Sequence, residues 1–121
     1  MMRKVLITGG FGYLGGRLAQ FLASQGSYEI FLGSRWKTQP PPWLQRAKVV
    51  ETRWGSLKGL QEVCSGVDVI VHLAGMNAQD CAADPEAALE VNALATIGLL
   101  QAAVRQKVKR FIYMSTAHVY G

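Results

Sequence analysis

The sequence predicts an α/β fold, a parallel sheet of five strands with helices on both faces. Three observations carry that expectation. Short apolar runs alternate along the chain with stretches of helical periodicity. The first run, Lys4 to Thr8, is nearly all apolar, as a strand covered on both faces must be. A glycine cluster, Thr8 to Gly15, stands between that run and the first helical stretch. Right-handed crossovers then limit the topology to a doubly wound sheet with strand order 3-2-1-4-5.

Each element has its own signal. After the first strand, Phe11 to Ser24 places Leu14, Leu18, Phe21 and Leu22 on one helical face. Gly26 stops that helix, since a glycine past the C-terminus takes the left-handed turn without strain. Tyr28 to Gly33 reads as a second strand. Pro40, Pro41 and Pro42 exclude regular helix or sheet from the segment Trp36 to Gln45, which reads as a loop with a polyproline-like rise. Ala47 to Glu51 is a third strand. Leu57 to Cys64 is a short helix with Ser56 as its N-cap. Val67 to Gly75, rich in β-branched residues, is a fourth strand. Asp84-Pro85-Glu86 opens a long helix: a capping aspartate, a proline in the first turn and an acid near the positive end of the dipole. Its apolar positions to about Gln106 include Leu89, Leu94, Ile97, Leu100 and Val104. Arg110 to Ser115 is the fifth strand.

A length of 121 residues fits one domain, residues 1–121, with a true hydrophobic core. Half of the residues are hydrophobic and 17% are charged, an ordinary soluble profile that points to the cytoplasm. The apolar run after Lys4 is too short for a signal peptide, and the other runs read as too interrupted to span a membrane. Cys64 and Cys81 lack CxxC spacing, so reduced thiols are expected. A metal site built from Cys64, His72 and Cys81 lacks the pairing that ligation needs, and no metal is expected. The net charge is +5. Its one cluster, Arg105, Lys107, Lys109 and Arg110, falls at a helix C-terminus, where cations favour the dipole, so nucleic acid is not the expected partner.

The glycines carry the chemistry. Gly9, Gly12 and Gly15 are spaced G-x-x-G-x-x-G between a strand and a helix. Such a turn lets backbone approach a pyrophosphate, and the helix start offers free N–H groups and a positive dipole end. The plain alternative is a glycine-rich turn without a ligand.

TGGFGYLG (Thr8 to Gly15) resembles the T-G-G-x-G-x-x-G fingerprint of the extended short-chain dehydrogenase/reductase superfamily. HLAG (His72 to Gly75) is similar to its H-L-A-A segment, EVNALATIGLLQAA (Glu90 to Ala103) to its asparagine helix, and FIYMSTAHVYG (Phe111 to Gly121) to its serine/threonine strand end. The resemblance covers the chain in the expected order. It implies a Rossmann-type fold and an NAD(P)-dependent epimerase, dehydratase or reductase, of the kind that acts on nucleotide sugars. By that resemblance Gly9, Gly12 and the backbone of Tyr13 and Leu14 meet the pyrophosphate, with Gly15 completing the loop. Leu73, Ala74 and Gly75 line the adenosine side and the ribose near the nicotinamide. Asn92 meets the cofactor or braces a neighbouring strand; an asparagine in an apolar helix needs a buried partner. Ser115 sits by the nicotinamide ribose. Thr116 matches the catalytic hydroxyl, the alternative being an ordinary strand-end hydroxyl.

Two departures from the family pattern bear on the cofactor. Enzymes that use NAD place an acid at the end of the second strand for the ribose 2′-hydroxyl. Here that strand ends Gly33-Ser34-Arg35, and a hydroxyl with a guanidinium suits a 2′-phosphate. NADP is therefore the expected cofactor, with NAD as the alternative and Arg35 and Lys37 then only solvating a loop. Arg53 and Trp54 stand where the family carries an acid that meets adenine. Arg53 is placed to stack on the ring or to add to a 2′-phosphate pocket, and Trp54 to cover the ring.

The family's base is a tyrosine in Tyr-x-x-x-Lys, which the chain does not contain. The expectation is a dinucleotide-binding portion of a larger enzyme, without turnover of its own. A dinucleotide-sensing regulatory module on the same fold is the rival. A homo-oligomer is expected, built on the long helix and on apolar surface left open.

Overall fold

In the computed structural model, which describes residues 2–75 and 78–114, the five strands form one parallel sheet. The strands are β1 (Arg3–Thr8), β2 (Tyr28–Ser34), β3 (Lys48–Glu51), β4 (Val69–His72) and β5 (Arg110–Tyr113). Their order is β3-β2-β1-β4-β5, the doubly wound order expected from the sequence. The chain builds outward from β1 through β2 to β3, then returns to place β4 and β5 on the other side. The switch point therefore lies between β1 and β4, and ligand crevices of this fold open there, at the carboxyl ends of the strands.

Alternation along the strands sorts side chains into two cores. Val5, Ile7, Ile30, Leu32 and Val71 face α1 (Tyr13–Ser24) together with Ala19 and Leu44. Leu6, Ile70 and partly buried Phe31 and Phe111 face the other way, onto Leu60 and Cys64 of α2 (Leu57–Cys64) and Leu99, Ala102 and Ala103 of α5 (Ala95–Arg105). A strand apolar on both faces, such as Val5-Leu6-Ile7, is stable only in this sandwiched position.

The local signals act as the residue types require. The Ser56 hydroxyl accepts the Gly59 N–H at 3.0 Å, capping α2. The Asp84 carboxylate accepts the Ala87 N–H at 3.1 Å, with Pro85 opening α4 (Pro85–Leu89). Gly26 adopts φ +74° and ends α1 as expected. The proline segment leads into a short 3₁₀ turn, Pro42–Leu44, and crosses back over α1. There the Trp43 ring lies 3.2 Å from where a Cβ on Gly16 would stand.

Several details depart from the periodicity. Helix α1 buries Gly15, Gly16 and Ala19, while Leu14 and Phe21 are exposed, because small residues let the helix sit close to the sheet. A short helix, α3 (Ala78–Ala83), precedes α4. The long helix is not uniformly α: Glu90–Leu94 widens into a π turn between α4 and α5. Leu89, Leu94, Ile97, Leu100 and Val104 all lie exposed, and Leu99, Ala102 and Ala103 make the buried contact instead. Taken as a whole, Pro85–Arg105 is long and apolar enough by length and composition to cross a membrane, which corrects the reading of every apolar run as too interrupted. Its buried face packs on α2 and the sheet.

Candidate functional site

The carboxyl ends of the strands come into register where the glycine loop starts. Thr8 pairs with His72, and His72 with Tyr113, in one row across β1, β4 and β5. On the other side Ser34 pairs with Glu51. The loop leaving β1 turns at Gly9, which takes φ +67°, and closes with the Gly12 N–H donating to the Gly9 carbonyl at 3.0 Å. A Cβ on Gly9 would stand 3.0 Å from the Ala74 nitrogen, and one on Gly15 would overlap the Gly9 carbonyl oxygen. The loop therefore lies directly against the backbone after β4 and against the first turn of α1.

Gly12 is the N-cap of α1 and offers no side-chain acceptor, so the first turn keeps its N–H groups for another partner. Tyr13 and Leu14 open the helix with exposed side chains, and the Arg17 guanidinium sits 4.8 Å from the Tyr13 ring centre.

Two adjoining cavities open beside this loop. One, of about 540 Å³, is lined by Gly9, Gly12, Ser34, Arg35, Lys37 and Trp54 among others. The second, of about 480 Å³, runs past Arg35, Trp54 and Gly75 to Glu90, Val91 and Leu94. Arg35, Trp54, Ala74 and Gly75 border both.

Seven of the residues singled out from the sequence converge here. Gly9, Gly12, Ser34, Arg35, Trp54, Ala74 and Gly75 all line the cleft. Leu73 is half-buried at its back, against the α1-side core. The Arg35 side chain is exposed and forms no ion pair among the described residues. Asn92 sits in the π turn, and a Cβ on Gly75 would lie 3.0 Å from its Oδ1. The Asn92 amide also approaches the Cys81 sulfur at 3.3 Å. Arg53 is set apart: its Nε donates to Glu51 Oε1 at 3.0 Å, and it borders neither cavity. Ser115 and Thr116 lie outside the described residues.

Sequence reasoning sets His72 aside as a metal ligand and counts it as the first residue of the HLAG segment without giving it a role; the structure gives it a defined environment. The ring is 1% exposed. Its Nδ1 lies 2.6 Å from the Thr8 hydroxyl and its Nε2 2.8 Å from the Thr96 hydroxyl. Trp54, Phe111 and Tyr113 surround it, with ring centres 5.7, 6.0 and 5.9 Å away. Burial pushes its pKa down to about 4, so the imidazole is neutral near pH 7. The sequence signals are its place at the head of HLAG and a polar residue at an inward position of an apolar strand.

Comparison with known proteins agrees with this geometry. The chain is 34% identical to a D-erythronate dehydrogenase of Haemophilus influenzae and 36% identical to a CDP-paratose 2-epimerase of Salmonella typhi. Each match covers 98% of the chain, which spans 39% and 38% of the two relatives' lengths. Among solved structures, MoeE5 in complex with UDP-glucose and NAD superposes with a TM-score of 0.83 at 27% identity, over 98% of this chain and 38% of that one. The pattern of one whole family runs from residue 5 to residue 121, and on that match the chain belongs to the NAD dependent epimerase/dehydratase family.

Proposed function

We propose that the cleft at the carboxyl edge of the sheet binds a nicotinamide dinucleotide, NADP(H) in preference to NAD(H). The observation that carries this is the glycine loop. It closes on itself, lies against Ala74 and delivers an uncapped helix start to an open cleft. A pyrophosphate there receives backbone N–H donors and the positive end of the helix dipole. Ala74, Gly75 and Trp54 form the wall for the adenosine, with Leu73 packed behind them. Arg35, Lys37 and Ser34 border the region past β2, where the 2′-substituent of the ribose falls in this fold. Among the described residues, the one acid bordering either cavity is Glu90, across the cleft in the π turn. NAD is the second reading, favoured by the NAD held in the MoeE5 structure.

The chain then serves as the dinucleotide-holding part of an enzyme that transforms a nucleotide-linked sugar. MoeE5 with UDP-glucose and the CDP-paratose epimerase support that substrate class. Thr116 is the hydroxyl assigned to the substrate by its motif, and Ser115 the one by the nicotinamide ribose. None of the four tyrosines is followed by lysine four positions on, so these residues alone are read as giving no turnover. The exposed apolar residues of α5, among them Ile97, Leu100 and Val104, form the face we assign to self-association.

Calorimetric titration of the chain with NADP⁺, beside NAD⁺, tests the reading. Tighter NADP⁺ binding is expected. Equal or reversed affinities would return Arg35 to a solvated loop, and binding of neither would remove the dinucleotide assignment. Turnover of UDP-glucose with NADP⁺ or NAD⁺ above background would overturn the reading without turnover.

A further inference from the structure

The hydrogen atoms around His72 can be assigned by counting. The Thr8 hydroxyl lies 3.0 Å from the Leu73 nitrogen and 3.2 Å from the Ala74 nitrogen, both backbone donors. A hydroxyl has two acceptor sites and one proton. The Ala74 N–H and the Leu73 N–H, the latter shared with the Thr8 carbonyl at 3.3 Å, fill the acceptor sites, so the proton of Thr8 goes to His72 Nδ1, 2.6 Å away. That nitrogen is then the acceptor of the ring, and the ring proton sits on Nε2. Nε2–H donates to the Thr96 hydroxyl at 2.8 Å. Thr96 in turn donates to the Asn92 carbonyl at 3.1 Å. Every donor in the chain meets an acceptor, and the direction runs one way, from Leu73 and Ala74 through Thr8, His72 and Thr96 to Asn92.

The ends of this chain are the walls of the cleft. Thr8 is the last residue of β1 and carries the glycine loop, which presses on Ala74 through Gly9. Asn92 and Thr96 belong to the helix that forms the opposite wall, where Gly75 packs against the Asn92 side chain. A leucine would fill the His72 site without the cost of burying an imidazole, but it would leave the Thr8 proton and the Thr96 acceptor without the ring. The three aromatic rings around His72 leave it little room to turn.

We propose that His72 is a positioning residue of the cleft: as a single Nε2–H tautomer it ties the glycine loop to the asparagine-bearing helix and so sets the spacing between the two walls that hold the dinucleotide. This rests on the dinucleotide reading above, and its test separates the two. Nitrogen-15 spectra of the imidazole in the 121-residue chain read the tautomer directly. An Nε2–H ring with a shielded, hydrogen-bonded Nδ1 is expected, and an Nδ1–H ring or a mixture overturns the proposal. Titration of NADP⁺ and NAD⁺ into three variants follows. His72→Phe fills the space and carries neither hydrogen bond; a loss of about tenfold or more in affinity is expected. His72→Gln offers one acceptor and one donor and is expected to recover most of that loss. Thr96→Val removes only the outer partner and covers the case in which His72→Phe does not fold; a severalfold loss is expected. Wild-type affinity in both His72→Phe and Thr96→Val overturns the proposal. If the wild-type chain binds neither dinucleotide, the dinucleotide reading fails. The tie is then read from amide exchange at Leu73 and Ala74, which Thr96→Val should accelerate; unchanged exchange overturns it.

Discussion

The carbonyl oxygen of Gly9 occupies the space that a side chain on Gly15 would need, so the two glycines fix the turn between β1 and α1 together. Gly15 is buried, and its neighbours on that side are backbone atoms of Gly9 and Gly10, which cannot swing away as a flexible side chain would. Gly15→Ala is expected to push the helix start off the loop. A loss of about 1–3 kcal/mol of stability follows from such overpacking. Dinucleotide affinity should fall further than stability does, because the N–H groups of the first turn are displaced. Paired thermal melts and calorimetric titrations check this; a melt and an affinity like those of wild type would mean that the turn adapts.

Arg35 borders both cavities and forms no ion pair among the described residues. Arg35→Ala is expected to weaken NADP⁺ binding about tenfold or more and to leave NAD⁺ binding nearly unchanged, since only the former carries the 2′-phosphate. An equal loss for both would mean that Arg35 stacks on a part common to the two.

His72 makes stability depend on pH. The groups around its ring are Thr8 from β1, Trp54 from the turn after β3, Thr96 from α5, and Phe111 and Tyr113 from β5. None of them is a carboxylate or an amine. The unfolded imidazole takes a proton below its ordinary value of 6.5, whereas the folded one resists until about 4. Between those values the unfolded state holds more protons, so stability is fully present above pH 6.5 and is lost as the pH falls toward 4. The amount is on the order of 3 kcal/mol. Urea titrations from pH 7.5 to pH 4 should show the decline, and His72→Gln should flatten it. A parallel decline in His72→Gln would assign it to other groups.

Ser56 caps α2 through its hydroxyl, and α2 holds Leu60 and Cys64 in the core with α5. Ser56→Ala is expected to cost about 1 kcal/mol. Ser56→Asp should keep most of the cap. Urea midpoints for both report it, and an unchanged midpoint for the alanine variant would show that water replaces the hydroxyl.

Much of the site was legible because its signals are local. Gly9 is needed where the chain must turn at positive φ and Gly15 where backbones approach closely, and that need appears as spacing. Ser56 and Asp84 cap the helices that follow them within a turn. Arg53 shows the limit. Its place after β3 suggests an adenine contact, but its Nε donates to Glu51, two residues away, and it borders neither cavity. The long helix shows another: its period marks apolar residues, not which of them find a partner. Leu99, Ala102 and Ala103 meet α2 and the sheet, and Ile97, Leu100 and Val104 do not.

By itself the sequence determined the alternation of strands and helices, the strand order that right-handed crossovers allow, and the glycine loop that opens the cleft. These follow from periodicity, chirality and sterics, which act over a few residues or constrain every chain alike. Tertiary structure alone decided the pairing of His72 with Thr8, 64 positions away, and with Thr96, 24 positions away. A side-chain hydrogen bond needs two atoms within about 3 Å. Only the register of β1 against β4, and the packing of α5 on that sheet, brings those atoms together.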